Sequence, residues 1–251
     1  MFNFFAHENS RQGDFFYISG PDYNHIKNVL RMKQGDEFLV SCGGISSLCS
    51  LNGFEGDCAV AEIIDENYQS TDLPVKIYLF QGLPKSDKME LIIQKCVELG
   101  VHCIVPTEMN RCVVRLDDKK KKSKTQRWQS IAESAAKQSK RSAVPEICEA
   151  VSYNEALNMA KELDVLMVPY ESKDGMQSTI NALSKIRDGS SVGIIIGPEG
   201  GFEDSEIDKA TAMGADIVSL GKRILRTETA AITAVGMVML HSEMNLGGEK
   251  E

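Results

Sequence analysis

No stretch of this chain stays apolar for the roughly 18 residues that a membrane-spanning helix needs. The opening residues, MFNFFAHENS, lack the basic and apolar segments of a secretory signal. These two absences set the expectation of a cytoplasmic protein without a membrane partner. Paired cysteine spacing is missing as well. The seven cysteines, at 42, 49, 58, 96, 103, 112 and 148, include no CxxC pair. Neither a disulfide framework nor a zinc site is signalled, and reduced, mostly buried thiols are expected. The four histidines, His7, His25, His102 and His241, are scattered and compose no metal motif. An ordered GxGxxG is absent, which removes the main signature of a dinucleotide enzyme. Tryptophan occurs once, at Trp128, where helical spacing from Ile131 suits a core anchor better than a base-stacking platform.

What is present is ordinary in amount and unusual in distribution. At 251 residues, 42% hydrophobic and 25% charged, the chain can build one large or two modest cores. Its net charge of −8 argues at first against a nucleic-acid partner. Between Arg111 and Arg141, however, eleven Lys or Arg stand against three acids, so the rest of the chain carries a net −16. Such segregation steers a polyanion onto one face. The run DDKKKKSK within it is read either as RNA contact or as a solvated, partly disordered lysine tract.

Residues 1–72 read as a small β-rich domain, with FFYIS, EFLVS and CAVAEII as strands and DYNHIKNVLRMKQGD as its one helical stretch. Ile26, Val29, Leu30 and Met32 give that stretch an apolar face, and His25, Lys27, Arg31 and Lys33 give it a local basic cluster. A polar segment, ENYQSTDLP, marks a boundary. From residue 73 to 251 the pattern changes to strands followed by helices: VKIYLF, then MELIIQKCVELG, then VHCIVP, a basic helix QRWQSIAESAAKQSKRSAVP, another helix, and VLMVP. Repeated β-then-α units indicate an α/β domain with a parallel sheet.

Two further strand patterns, Val192–Ile196 and Asp216–Leu220, each end in a loop built for close approach. In GPEGGF, Gly197, Gly200 and Gly201 permit tight backbone geometry, Pro198 stiffens the turn and Glu199 offers the one polar grip. Glu203, Asp204 and Glu206 then suit a helix N-terminus. The second loop, SLGKRILRTETA, carries Gly221, Arg223, Arg226 and Glu228, with Thr227 as the expected N-cap of a helix rich in small residues. Glycine after a strand often marks only a turn. Two such loops beyond the carboxyl ends of parallel strands nevertheless define a crevice, to which the strand end Val168-Pro169-Tyr170-Glu171 adds a third wall.

GPEGGF followed by LGKRILRTETA, with HIKNVLRMK upstream, resembles the RsmE-type family of SPOUT methyltransferases, which methylate N3 of a uridine in small-subunit (16S) ribosomal RNA. The resemblance spans nearly the whole chain and is densest at 81–100, 126–145 and 194–234. It departs at the opening MFNFF, which lacks an arginine often found before the family's aromatic pair, and at SLNGFEGD.

The resemblance implies a SPOUT-type α/β knot, a deep trefoil, preceded by a PUA-like β-barrel that binds RNA. It implies S-adenosyl-L-methionine as cofactor, no metal, and a homodimer through the knotted domain. On that footing the cofactor is held by Val168, Pro169, Gly197, Pro198, Glu199, Gly200, Gly201, Leu220, Gly221, Ile224, Leu225, Arg226 and Thr227. RNA, free or in the assembled small subunit, meets His25, Lys27, Arg31, Lys33, Lys85, Arg111, Gln138, Lys140 and Arg141. Arg226 is the expected stabiliser of the uracil anion and Glu228 the expected proton acceptor; a salt bridge at a helix start is the structural alternative for both. Ribose 2′-O methylation and a non-catalytic ribosome-assembly role remain open at this level.

Overall fold

Short apolar runs separated by glycine turns fold locally into strands, and two such groups form here. The computed structural model describes residues 1–68, 71–170 and 175–246. One compact unit comprises Met1–Asp72 with Ala136–Val144; the other comprises Leu73–Ala135 with the chain from Pro145 onward.

In the first unit the strands are β1 (Asn3–Phe5), β2 (Arg11–Gln12), β3 (Phe15–Ile18), β4 (Glu37–Cys42), β5 (Ile45–Glu55) and β6 (Cys58–Asp65), with α1 (Gly20–Asn24) between β3 and β4. They form one sheet in the order β1-β4-β5-β6-β3-β2, antiparallel except where β1 lies parallel to β4. The tract SLNGFEGD is the end of the long strand β5 and the Gly56-Asp57 turn into β6, and its irregularity is a register shift at Leu51/Gly53, which follows another in β5 at Leu48/Cys49. Phe4, Phe16, Phe38, Val40 and Leu51 pack its core, with Phe4 and Phe38 edge to face at 5.5 Å. The segment 136–144, which the sequence alone leaves in the α/β domain, completes this unit. The Arg141 carbonyl accepts from the Asn3 amide at 3.1 Å and the Ser41 hydroxyl at 3.3 Å, Lys137 pairs with Asp22 at 2.8 Å, and Ser142 donates to Asp72.

The helical stretch is shorter than its spacing predicts. After α1 the backbone widens into a π turn over His25–Val29, in which the Leu30 N–H reaches the His25 carbonyl at 2.9 Å. A five-residue turn breaks the 3.6-residue stripe. Ile26 is therefore wholly buried, while Val29 faces solvent.

The second unit contains β7 (Lys76–Gly82), β8 (Cys103–Glu108), β9 (Glu146–Ile147), β10 (Val151–Ser152), β11 (Val165–Pro169), β12 (Ser191–Ile196) and β13 (Asp216–Val218). Its helices are α2 (Lys88–Glu98), α3 (Asp118–Gln138), α4 (Tyr153–Ala160), α5 (Met176–Leu183), α6 (Asp204–Ala212) and α7 (Thr227–Asn245). The sheet runs β10-β8-β7-β12-β11-β13, with β9 beside β8, and every pairing is parallel. Ile194 and Ile195 on β12 are fully buried, as continuous β-branched runs require when both faces of a parallel sheet are covered. Ile92, Ile93, Cys96 and Val97 give α2 its buried face, and α2 packs against α7. Trp128 is core. The lysine tract is helical: Asp117 accepts from the Lys120 N–H at 2.8 Å, making Lys119–Lys122 the opening turns of α3. Among the described residues no helix is long and apolar enough to cross a membrane.

Candidate active site at the strand ends

Parallel strands deliver their carboxyl ends to one edge, and here β7, β12, β11 and β13 lie side by side in that order. The loops after them are cross-tied by one hydroxyl. Thr227 donates to the Gly197 carbonyl at 2.7 Å and accepts from the Gln81 amide at 2.9 Å, so one atom joins β7, the 197–201 loop and the start of α7. Gln81 is fully buried, also donates to the Gly82 carbonyl at 2.9 Å, and holds its Oε1 without a partner. Thr227 is therefore not the N-cap. Arg226 occupies that position, with extended backbone (φ −67°, ψ 154°), and Thr227 is the first helical residue because its hydroxyl is committed to the neighbouring loop.

The glycine loop lies so close to its neighbours that side chains are excluded. A Cβ on Gly82 would stand 2.7 Å from the Pro198 nitrogen, and one on Gly200 would stand 2.9 Å from the Arg111 Cβ and 3.1 Å from its carbonyl. Arg111 also donates to the Gly200 carbonyl at 3.2 Å, so this exposed arginine props the loop. Below it, buried Glu206 accepts from the N–H groups of Asn110 and Glu203, both at 2.9 Å, and Glu203 caps α6.

Charge at the site is organised by Lys88, at the start of α2. Its ammonium lies 3.2 Å from a carboxylate oxygen of Glu199 and 3.2 Å from one of Glu228, whose side chain is only 14% exposed. Hydrogen bonding to Glu199, then to Glu228, pushes the Lys88 pKa up. Burial works to raise the Glu199 carboxyl, but the Glu199 and Lys85 backbone N–H groups and Lys88 outweigh it, and the net shift is downward. Sequence reading missed Gln81 and did not foresee the Lys88 bridge. A polar residue closing the apolar run VKIYLF was the available signal for Gln81.

On the β13 side, the strand stops at Val218, two residues short of the predicted end. There the Thr179 hydroxyl donates to the Ser219 carbonyl at 2.6 Å and accepts from the Ser219 N–H at 3.0 Å, turning the chain out of the sheet. Gly221 follows at φ +103°, a conformation that favours glycine. Leu220 and Leu225 are half-buried and Ile224 is 103% exposed, leaving an uncovered apolar edge; Arg226 is exposed beside it. Val168 is buried, Pro169 half-buried, and Tyr170 meets Phe202 edge to face at 6.1 Å. Glu171 lies outside the described residues.

Of the residues expected to meet RNA, His25, Lys27, Arg31, Lys33, Lys85, Arg111, Gln138 and Lys140 are exposed. Lys27 lies 5.0 Å over the Tyr23 ring and donates to the Tyr23 hydroxyl at 2.6 Å. Arg141 is the exception: it is 7% exposed, burial pulls its pKa down, and its carbonyl is tied to Asn3 and Ser41, so it does not offer a surface charge.

Residues 71–239 match the family model described as an RNA methyltransferase domain, and residues 18–45 match that of an RNA methyltransferase PUA domain. A ribosomal RNA small subunit methyltransferase E of Bacillus subtilis (strain 168) is 40% identical over 93% of this chain and 93% of its own. One of Mesomycoplasma hyopneumoniae (strain 232) is 35% identical over 92% of this chain and 96% of its own. A crystal structure of the Neisseria gonorrhoeae enzyme of that name, bound to S-adenosyl methionine, superposes with a TM-score of 0.80 at 33% identity, over 96% of this chain and 97% of that one.

Proposed function

This chain belongs to the ribosomal RNA small subunit methyltransferase E family, and from that premise we propose that it methylates N3 of a uridine in 16S ribosomal RNA with S-adenosylmethionine as donor. The observation that carries the reading is the Thr227 hydroxyl joining the glycine loop, β7 and the start of α7, which fixes two ligand loops at one edge. The cofactor fits what borders that edge: Leu220, Leu225 and the solvent-facing Ile224 provide apolar cover for an adenine ring, and Gly197, Gly200 and Gly201 let backbone approach it. When bound, it supplies a methyl group on a positively charged sulfur.

The chain's own groups then have two tasks. N3 of uracil attacks well only as an anion, and Arg226, exposed at the α7 N-terminus, is the cation we assign to O2 or O4 as that charge develops. Glu228 is the proton acceptor, and Lys88 holds its carboxylate until substrate enters. Lys27, Arg31, Lys33 and Lys140 grip phosphate. We further assign a homodimer through the α/β domain, supported by exposed Leu240 and Met244 on α7, and a cytoplasmic location with the ribosomal subunits.

Arg226→Ala tests the catalytic assignment. Turnover on assembled small subunits should fall about 100-fold with KM for both substrates little changed, the loss typical of one preorganised stabiliser. Raising the pH should partly restore the rate by ionising uracil beforehand. A wild-type rate, or loss of cofactor binding alone, overturns the role. Mass spectrometry of the nucleoside product separates base methylation from ribose methylation.

A further inference from the structure

Away from the strand-end site, β8 and β9 bring three ligand-type side chains onto one face of the sheet. Cys103 and Glu146 are register partners in a parallel pair, so their side chains share a face. Cys148 lies two residues beyond Glu146 and returns to that face, its backbone held by donation to the Ile104 carbonyl at 3.0 Å. The consequence is a dithiol with a carboxylate beside it. The sulfurs are 3.6 Å apart, and the two sulfurs and a Glu146 oxygen all lie within 4.8 Å of one another. Among the described residues this is the one cluster of three His, Cys, Asp or Glu groups close enough to share an ion.

We propose that Cys103, Cys148 and Glu146 form a binding site for a thiophilic divalent cation of the zinc type, with water in the fourth position. A tetrahedral ion at about 2.3 Å from each sulfur holds its two sulfurs about 3.8 Å apart, so these thiols already stand at chelating separation. A disulfide would need them at about 2.0 Å, a far larger displacement. Burial complements the geometry. Cys103 is buried, which shelters the bond, Cys148 is half-buried, which leaves an entry path, and Glu146 is exposed and free to swing inward. On binding, each thiol gives its proton to solvent and the thiolate pair donates to the ion. The ion would clip residues 146–148 to β8. Forty-five residues separate the two cysteines, which is why spacing gives no metal signature.

The test titrates Co²⁺ into the reduced full-length protein under anaerobic conditions. The expected result is a thiolate-to-cobalt charge-transfer band with tetrahedral visible bands, saturating at one ion per chain and displaced by Zn²⁺. Cys103→Ser and Cys148→Ser should each abolish the band, Glu146→Gln should weaken binding, and Cys42→Ser and Cys58→Ser should change nothing. Circular dichroism verifies folding. Since Cys103 is buried, Cys148→Ser alone decides the matter if the Cys103 variant does not fold. Absence of the band in the wild type, or a band undiminished in Cys148→Ser, overturns the proposal.

Discussion

Replacing Thr227 with valine removes one hydroxyl and almost nothing else. The side chain stays β-branched, its volume barely changes, and the first turn of α7 keeps the Ala230 N–H bond to the Arg226 carbonyl at 2.8 Å. Two hydrogen bonds disappear: the one Thr227 donates to the Gly197 carbonyl and the one it accepts from Gln81. Each is worth about 0.5 to 1.5 kcal/mol, and a buried group left unmatched places the total toward the upper half, about 2 kcal/mol. Gln81 keeps its bond to the Gly82 carbonyl, which limits the loss. Because the bonds join the two cofactor loops, the cost should fall on their preorganisation and appear as about 30-fold weaker S-adenosylmethionine binding. Isothermal calorimetry on Thr227→Val measures it. Thr227→Ser, which keeps the hydroxyl, should lie near wild type, and Thr229→Val, at an exposed position two residues on, sets the baseline. Affinity for Thr227→Val within about twofold of that baseline would refute the reasoning, since the hydroxyl would then not organise the site.

Gly200→Val drives a side chain into Arg111, an overpacking cost of about 1 to 3 kcal/mol, and should abolish cofactor binding while the first unit stays folded; unchanged affinity by calorimetry removes the loop from the site. Lys88→Met tests the ion-pair bridge through its pH dependence. Glu199 titrates below its ordinary 4.5, so its contribution is present above that value and fades as pH falls through the lowered one; Lys88 titrates above 10.5, so its contribution is present below that value and fades as pH rises through the raised one. The melting difference between wild type and Lys88→Met should be flat through neutral pH and shrink in acid, and a difference that persists there contradicts the pairing. Lys27→Glu and Lys140→Glu should each flatten the salt dependence of RNA binding, by a little under one unit of slope per lost phosphate contact. Arg141→Gln, at a buried position, should instead lower thermal stability with the slope intact, and the reverse result in salt titrations would return Arg141 to the surface.

How far these features could be read beforehand differs by physical cause. Val192–Ile196 and VLMVP announced themselves because a doubly covered parallel strand leaves no room for polar residues, and both are strands of the sheet. GPEGGF was legible because its glycines answer a local steric demand, now visible as the near-contact of Gly200 with Arg111. Where tertiary partners decide, sequence was silent. Thr227 has every property of an N-cap, yet its hydroxyl is claimed by Gly197 and Gln81, groups far away in the chain. The π turn at His25–Val29 leaves no trace in composition, so the expected apolar stripe took Val29 inward, although Ile26, Leu30 and Met32 do pack against the core. Arg141 looked like its basic neighbours and is buried, because its backbone completes a different unit.

The return of Ala136–Val144 to the first unit has a consequence for anyone wishing to transplant that unit as a module. A gene fragment stopping at Asp72 would omit the Arg141 carbonyl, and the buried Asn3 amide would lose its acceptor, while the Ser41 hydroxyl would keep only the Asn3 Oδ1 at 3.1 Å. One unmatched buried donor costs about 1 to 3 kcal/mol, a serious fraction of what so small a domain has in reserve. Grafting this recognition unit onto another enzyme, or swapping it between relatives, therefore requires two further junctions, one at each end of the nine-residue return strap, which travels as an indispensable part of the cassette.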